Sequence, residues 1–261
     1  MVKDPKAHIT HKDNWGDYFS LSMVSAEIAL HAQPGQFIMV RTNQDPYPLL
    51  RRPFSIFSAD EQTVTVFFQK VGLGTDLLSR KQEGDMLDII GPLGKGFSIP
   101  NDGRKSMMAL VGGGRGIAPL FFLAEKLRDK GIDVRIYYGG KSGCDLPLKV
   151  RLEAKDFVLC CSTEDGSIGY KGTITEALDS EIDAYGFERI YACGPEAMLH
   201  KVAQTAQAKK LPAELSLESI MGCGFGACWG CVKKIKKEDE LGWRKICEEG
   251  PVFAAQEIYW E

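Results

Sequence analysis

Along the first hundred positions apolar residues come in short bursts that alternate with polar ones or run briefly unbroken: YFSLSMV at 18–24, GQFIMVRT at 35–42, PFSIF at 53–57, TVTVFFQKV at 63–71 and DMLDIIG at 85–91. Bursts this short, bounded by Gly, Pro and polar breaks, predict the strands of an antiparallel barrel. From position 106 the pattern changes. The run MMALV, a glycine cluster, the helix-like APLFFLAEKLRDKG and a second apolar run, DVRIYYGG, read as strand, turn, helix and strand, the order of a parallel α/β domain. FVLCCSTED, RIYACGP and AELSLES continue as strands, while ITEALDSE and EAMLHKVAQTAQAKK carry helical spacing. The last segment is rich in Gly and Cys and too short for a core of its own, so it is expected to be stabilised by whatever its cysteines bind. The expected fold is a multidomain α+β chain, with an antiparallel barrel over 1–101, an α/β domain over 102–215 and a small cysteine-rich subdomain over 216–261.

Composition removes several classes of function. A chain of 261 residues, 44% of them hydrophobic, can fill two cores. Its net charge of −3 gives no electrostatic ground for binding nucleic acid, and the run KKIKKEDE at 233–240 is expected to be a solvated hairpin turn. No stretch approaches about eighteen uninterrupted apolar residues, and the opening MVKDPKAHITHKD is polar, so neither a membrane span nor a signal segment is expected and the cytoplasm is the expected location. The four His residues at 8, 11, 31 and 200 are scattered, which leaves no basis for a Rieske centre or a His-rich metal site.

Cysteine spacing carries the most chemistry. Cys223, Cys228 and Cys231 stand in the run CGFGACWGC and Cys247 follows, giving Cys-x4-Cys-x2-Cys-x15-Cys. Three thiolates on a tight loop and a fourth further on are the plant-type arrangement for a 2Fe-2S cluster. Gly222, Gly224, Gly226 and Gly230 give the loop room to bring amides close to sulfide. Zinc and a disulfide knot are the alternatives; zinc normally takes two Cys-x2-Cys pairs, and only one is present. Met221 and Trp229 are expected to pack beside the cluster and limit solvent. The other four cysteines, Cys144, Cys160, Cys161 and Cys193, lie in unrelated contexts and are expected to be reduced thiols.

Two further runs are suited to phosphates. In LLRRPFSIF at 49–57, Arg52 can neutralise a phosphate, Pro53 fixes the chain direction, Phe54 offers a flat apolar face and Ser55 a hydroxyl, a set that suits a flavin nucleotide. The bland alternative is an edge strand with solvated charges. VGLGTDLLSR at 71–80 places Gly72, Gly74 and Thr75 before a short helix, where a pyrophosphate is favoured and a plain N-cap is the alternative for Thr75. In VGGGRGIAP at 111–119, Gly112, Gly113 and Gly114 allow amides to approach a dinucleotide, with Gly116 and Pro119 leading into a helix. Ile117 occupies the third glycine position of the G-x-G-x-x-G fingerprint, and YYGGKSG at 137–143 lacks the acidic residue expected about 20 residues on, so this is not a strict Rossmann turn.

RPFS in a barrel, GGGRGIAPL after a strand, GPLGKGF at 91–97, CGPEAML at 193–199, the four-Cys motif and the closing CEEGPVF at 247–253 together resemble the electron-transfer subunits of bacterial dihydroorotate dehydrogenase type B, within the ferredoxin reductase-like family. The resemblance spans essentially the whole chain. It implies FAD held by Arg52, Pro53, Phe54 and Ser55 with Gln69, Lys70, Val71, Gly74 and Thr75, and NAD held by Gly112, Gly113, Gly114 and Gly116 with Cys193, Gly194 and Pro195. It further places Glu164 or Asp165, in STED at 162–165, near the adenosine ribose, the alternative being solvated loop acids. Cys193 is expected either to border the nicotinamide or to be a small buried thiol. Hydride transfer between flavin and nicotinamide requires no catalytic acid or base from the protein, and a flavin is the natural link between a two-electron and a one-electron carrier. The chain contains no segment resembling an FMN-binding barrel or a pyrimidine-binding loop. Electrons are therefore expected to pass to another subunit, and the resemblance implies that this is an FMN-containing catalytic subunit that oxidises dihydroorotate, in a heterotetramer of two copies of each chain. The alternative from the same resemblance is an NAD(P)H-dependent flavin and 2Fe-2S reductase subunit serving another redox partner, of the ferredoxin-NADP reductase, sulfide dehydrogenase or hydrogenase type. A non-enzymatic iron–sulfur sensor is the third class.

Overall fold

The computed structural model describes residues 1–43, 45–100, 106–237 and 240–260. The boundary expected at 101/102 and the tip of the 233–240 run lie outside the described residues. The chain divides into two compact units: 1–96 with 219–233 and 244–251, and 97–218 with 234–243 and 252–261. The residues of the cysteine-rich subdomain expected over 216–261 fall partly in each unit.

In the first unit the strands are β1 (Val2–Trp15), β2 (Tyr18–Val24), β3 (Phe37–Arg41), β4 (Arg52–Ala59), β5 (Thr63–Gln69) and β6 (Met86–Leu93), with helices α1 (Ala26–His31) and α2 (Leu73–Ser79) between them. They close a barrel in the order β1-β2-β5-β4-β3-β6. Alternation decides which side chains turn inward. In β6, Leu87, Ile89, Gly91 and Leu93 are buried and Met86 is exposed. Rings meet on both faces of β5: Phe19 and Phe54 lie against Phe68 on one face, at 5.6 and 5.5 Å, and Tyr18 stacks on Phe67 on the other at 5.7 Å. Closure also disposes of the edge-strand alternative for RRPF, because β4 is paired on both sides, to β3 and to β5.

The second unit is built on β7 (Met107–Gly113), β8 (Asp133–Gly140), β9 (Val158–Thr163), β10 (Tyr170–Lys171), β11 (Arg189–Cys193) and β12 (Ala213–Ser216). Its helices are α3 (Ile117–Asp129), α4 (Lys149–Glu153), α5 (Ile174–Glu181) and α6 (Glu196–Lys209). Near-continuous apolar runs such as MMALV are what a sheet covered on both faces requires. α3 contributes nine buried residues and packs on β7, β8 and β11. The N-terminus of α5 is fixed by a reciprocal cap, in which the Thr173 hydroxyl accepts from Glu176 N at 3.3 Å and the Glu176 carboxylate accepts from Thr173 N at 2.7 Å. α6 ends at Lys210, whose φ of 55° is the left-handed C-terminal cap.

The remaining elements are β13 (Val232–Lys237), β14 (Glu240–Lys245), α7 (Ile246–Glu249) and β15 (Val252–Ala254). β13 and β14 form a two-stranded sheet, so 233–237 is strand and not turn. β15 completes the larger sheet, β10-β9-β8-β7-β11-β12-β15, as its antiparallel edge, with Leu215 opposite Phe253. Strand order reverses at β7: β8 lies on one side of it and β11 on the other. The carboxyl ends of these strands at such a reversal are where open α/β sheets bind ligands.

Candidate iron–sulfur, flavin and dinucleotide sites

All eight cysteines are free thiols. The four of the motif come together as two pairs. Cys223 lies close enough to Cys228 for the two thiols to influence each other's ionisation, and Cys231 stands in the same relation to Cys247. The backbone N–H of Gly226 donates to Cys247 Sγ at 3.1 Å, and that of Cys247 to Cys231 Sγ at 3.4 Å. Burial pushes the Cys223 thiol up, but amides of Phe225, Cys228 and Ala227 outweigh it and bring the thiol down to about 7. Cys247 goes the other way, to about 12, through burial and the neighbouring Cys231. Cys231 and Cys247 are each 2% exposed, whereas Cys228 is open to solvent. Among the described residues no group of three His, Cys, Asp or Glu is gathered closely enough to hold a metal ion. Two thiol pairs ringed by amide donors fit a two-iron group, since those donors stabilise both thiolate and sulfide.

Glycine conformation holds this loop in place. Gly224 and Gly226 have φ of 84° and 89°, in the left-handed region. A Cβ on Gly224 would also strike the side chain of Met39 in β3, so the loop seats against the barrel only with glycine there. Lys245 closes the other side: its Nζ donates to Gly226 O at 3.0 Å, pairs with Glu248 at 2.5 Å and lies 5.0 Å from the Trp229 ring centre. Trp229 is 59% exposed, so it borders the loop rather than sealing it.

On the barrel, the Arg52 guanidinium lies against Gly74 at the start of α2, where a Cβ would stand 3.0 Å from Nε. The Thr75 hydroxyl accepts from the N–H groups of Val71 and Gly72 at 2.9 and 3.1 Å and donates to Gly72 O at 3.0 Å, so it fastens the turn in front of Gly74. Lys70 pairs with Asp17 at 3.5 Å, and Gln69 ends β5 opposite Tyr18. Pro53 and Ser55 are half-buried in β4 and Val71 is exposed. Phe54, expected to offer a flat apolar face, packs that face within the barrel. Its ring is 8% exposed and turned into the barrel against Phe68, because even-numbered positions of β4 follow the inward side here.

At the β7 reversal the two expected dinucleotide turns meet. Gly113 is close-packed under Pro195 and Met198, and Gly116 backs onto the main chain of Cys193 and Gly194, leaving no room for a Cβ at either. Gly114, at φ 52°, faces open space, and Gly112 packs against Ile117. Cys193 is 4% exposed, and burial pushes its thiol up to about 12, which is the behaviour of a small buried core residue. Arg115 was not singled out by its sequence context; it sits on the glycine turn and pairs with Glu218 at 3.6 Å. The STED tip lies beside the end of β8: Glu164 N donates to Gly140 O at 3.2 Å and Asp165 N to Lys141 O at 3.1 Å. The Asp165 carboxylate is already engaged by Ser167 N and Oγ, at 2.9 and 2.6 Å, which holds it below the usual carboxylate range.

Residues 218–259 match the iron-sulfur cluster binding domain of dihydroorotate dehydrogenase B, and residues 110–204 match the oxidoreductase NAD-binding domain. The dihydroorotate dehydrogenase B (NAD(+)) electron transfer subunit of Desulforamulus reducens is 38% identical over 241 residues, covering 90% of each chain. That of Geobacillus sp. (strain WCH70) is 36% identical over 262 residues, covering 99% of each. The chain belongs to the dihydroorotate dehydrogenase B electron transfer subunits. It is an NAD-linked flavin oxidoreductase subunit with an iron–sulfur-binding and an NAD-binding domain. Among solved structures, an NADH-dependent reduced ferredoxin-NADP oxidoreductase studied for flavin-based electron bifurcation is 29% identical with a TM-score of 0.86, covering 98% of this chain and 91% of that one. As a dihydroorotate dehydrogenase B subunit the chain works beside a catalytic partner. No helix among the described residues is long and apolar enough to cross a membrane.

Proposed function

We propose that the chain carries a 2Fe-2S cluster on Cys223, Cys228, Cys231 and Cys247, FAD on the barrel, and NAD at the β7 reversal, and that it passes electrons from an FMN-containing dihydroorotate-oxidising subunit to NAD. The observation that carries this reading is the arrangement of four thiols as two pairs in an amide-lined loop, on a chain whose relatives are electron transfer subunits. Bound together, cluster and flavin would convert one-electron into two-electron transfer. Cys223 with Cys228, and Cys231 with Cys247, would each hold one iron. The exposed pair marks the edge nearer a docking partner, beside Phe225 and Ile220, which are 44% and 88% exposed. Arg52 supplies charge for the flavin phosphates, Ser55, Gln69, Lys70 and Val71 border the ring, and Pro53, Phe54, Gly74 and Thr75 shape the strand and turn that present it. Gly112, Gly113, Gly114 and Gly116 with Cys193, Gly194 and Pro195 form the cradle for the nicotinamide dinucleotide. The assembly we infer is a heterotetramer of two copies of each subunit, in a reducing compartment such as the cytoplasm, where free thiols persist.

Metal and flavin analysis of the purified chain tests this directly. The expected content is two irons, two acid-labile sulfides and one FAD per chain; zinc in place of iron would contradict the electron-transfer role. The likeness to the ferredoxin-NADP oxidoreductase structure favours a second reading, a reductase module of the same cofactors with another redox partner. The two readings part on which protein accepts or supplies electrons at the cluster.

Nucleotide choice follows from the end of β8. Glu164 and Asp165 sit there with Lys141 as the cation closest in sequence, an arrangement that favours ribose hydroxyls over a 2′-phosphate. Steady-state rates with an artificial acceptor should give a specificity constant for NADH at least about tenfold above that for NADPH, and Glu164→Lys should narrow the gap. A higher constant for NADPH in the natural chain would overturn the assignment.

A further inference from the structure

In the turn at 112–116 that ends β7 and leads into α3, Arg115 alone carries a side chain; its neighbours are all glycine. Its Nη2 lies 3.6 Å from Glu218 Oε2, beyond hydrogen-bond distance, and the two side chains are 48% and 57% exposed. Among the described residues neither side chain is engaged in another ion pair or a hydrogen bond. Three other arginines are placed differently. Arg51 on Asp88 at 2.5 Å, Arg135 on Glu181 at 2.7 Å and Arg189 on Glu214 at 2.5 Å are more buried guanidinium groups held on close carboxylates, as braces of a fold are. Arg115 is held only loosely.

Register puts the loose pair at the dinucleotide crevice. Gly112, Cys193 and Ser216 stand in one row across β7, β11 and β12. Arg115 comes three residues after that row on one side and Glu218 two residues after it on the other, so the pair spans the carboxyl end of β11, where Gly194 and Pro195 turn. The Cys193 thiol beneath feels both charges: burial raises it most, Glu218 adds to the rise and Arg115 opposes it.

We propose that Arg115 binds the diphosphate of the dinucleotide and that Glu218 is its resting partner, given up when the dinucleotide enters. This rests on the dinucleotide placement proposed above. The two anions compete on unequal terms. A diphosphate carries two negative charges and matches the guanidinium fork bidentately, whereas a carboxylate 3.6 Å away in solvent contributes little. Amides at the head of α3 offer the same phosphates hydrogen bonds without a full charge, and Arg115 supplies that charge. Glu218, once released, is exposed enough to return to water. Glu218 is therefore a built-in competitor: it lowers apparent affinity by the fraction of chains in which it engages Arg115, and so eases the departure of the reduced nucleotide.

Titration calorimetry with NADH, and with ADP-ribose, which keeps the diphosphate and lacks the nicotinamide, reads both halves of the exchange on the chain loaded with FAD and cluster. Arg115→Gln should weaken the two ligands by the same factor, about tenfold. Glu218→Gln should tighten both by about twofold to fivefold, and that gain should vanish when Arg115→Gln is added. Loss of NADH affinity alone would put Arg115 at the nicotinamide and overturn the proposal. So would a fall in affinity and thermal midpoint in both single variants, which would make the pair a structural brace. A Glu218→Gln gain that persists in full without Arg115 is plain charge repulsion and overturns the exchange. Gly116→Ala separates these failures from failure of the placement. If it weakens ADP-ribose while Arg115→Gln does not, the proposal falls alone; if neither has an effect, the dinucleotide binds elsewhere and both fall.

Discussion

Cys247→Ser should abolish electron exchange with the dihydroorotate-oxidising partner, by about a hundredfold or more, while NADH-to-dye activity stays within a few-fold of the natural chain. Cys247 is 2% exposed, and burial beside Cys231 raises its thiol, so the thiolate there depends on a bound metal to stabilise it. A serine hydroxyl is far harder to ionise and cannot replace it. The amide of Gly226, which donates to Cys247 Sγ at 3.1 Å, loses its sulfur acceptor at the same time. Because metal-binding energy is folding energy for so small a segment, 219–233 and 244–251 should become protease-sensitive while the barrel and sheet remain. The dye reaction depends on FAD and nicotinamide, which are assigned to other residues. Equal loss of both activities with FAD still bound would mean that the cluster is not the relay.

The second large effect is expected at Gly116. A Cβ there would overlap the carbonyl of Cys193 and stand 2.8 Å from Gly194 Cα; both neighbours are backbone, with no side chain to swing aside. Gly116→Ala should therefore force the glycine turn and the Cys193–Gly194–Pro195 turn apart, at about 2–3 kcal/mol of stability, and raise the KM for NADH at least about tenfold with iron and FAD content unchanged. Gly114→Ala is the contrast. Its φ of 52° strains any side chain, but nothing lies within 4 Å, so the cost should be about 1–2 kcal/mol with the turns still in contact. Thermal midpoints and NADH saturation curves separate the two. Matching behaviour of both variants would remove close packing of the turns as the reason for glycine at 116.

What was legible in the sequence was local. The cysteine spacing, the five apolar bursts of the barrel and the strand–glycine–helix unit each occupy one short window, and each lies where its window places it. β1 was not legible: of fourteen residues only Ala7 and Ile9 are buried, so a strand held mainly by its ladders to β2 and β6 reads as a polar leader. Residues 233–237 misread for a similar reason, since lysines on a small sheet look like a solvated turn. Which face of β4 the Phe54 ring takes was not legible either, since its packing against Phe68 depends on how β4 and β5 pair. The ion pair of Arg115 with Glu218 joins positions a hundred residues apart and leaves no trace in either neighbourhood.

The most direct test of the central claim is to mix the purified chain with its FMN-containing subunit, add dihydroorotate and NAD, and follow the absorbance of reduced nicotinamide. Neither protein alone should produce NADH from dihydroorotate, and the pair should. If the pair stays silent while the chain alone still oxidises NADH with a dye, the chain does not relay electrons for dihydroorotate oxidation, and the reductase module with another partner takes its place.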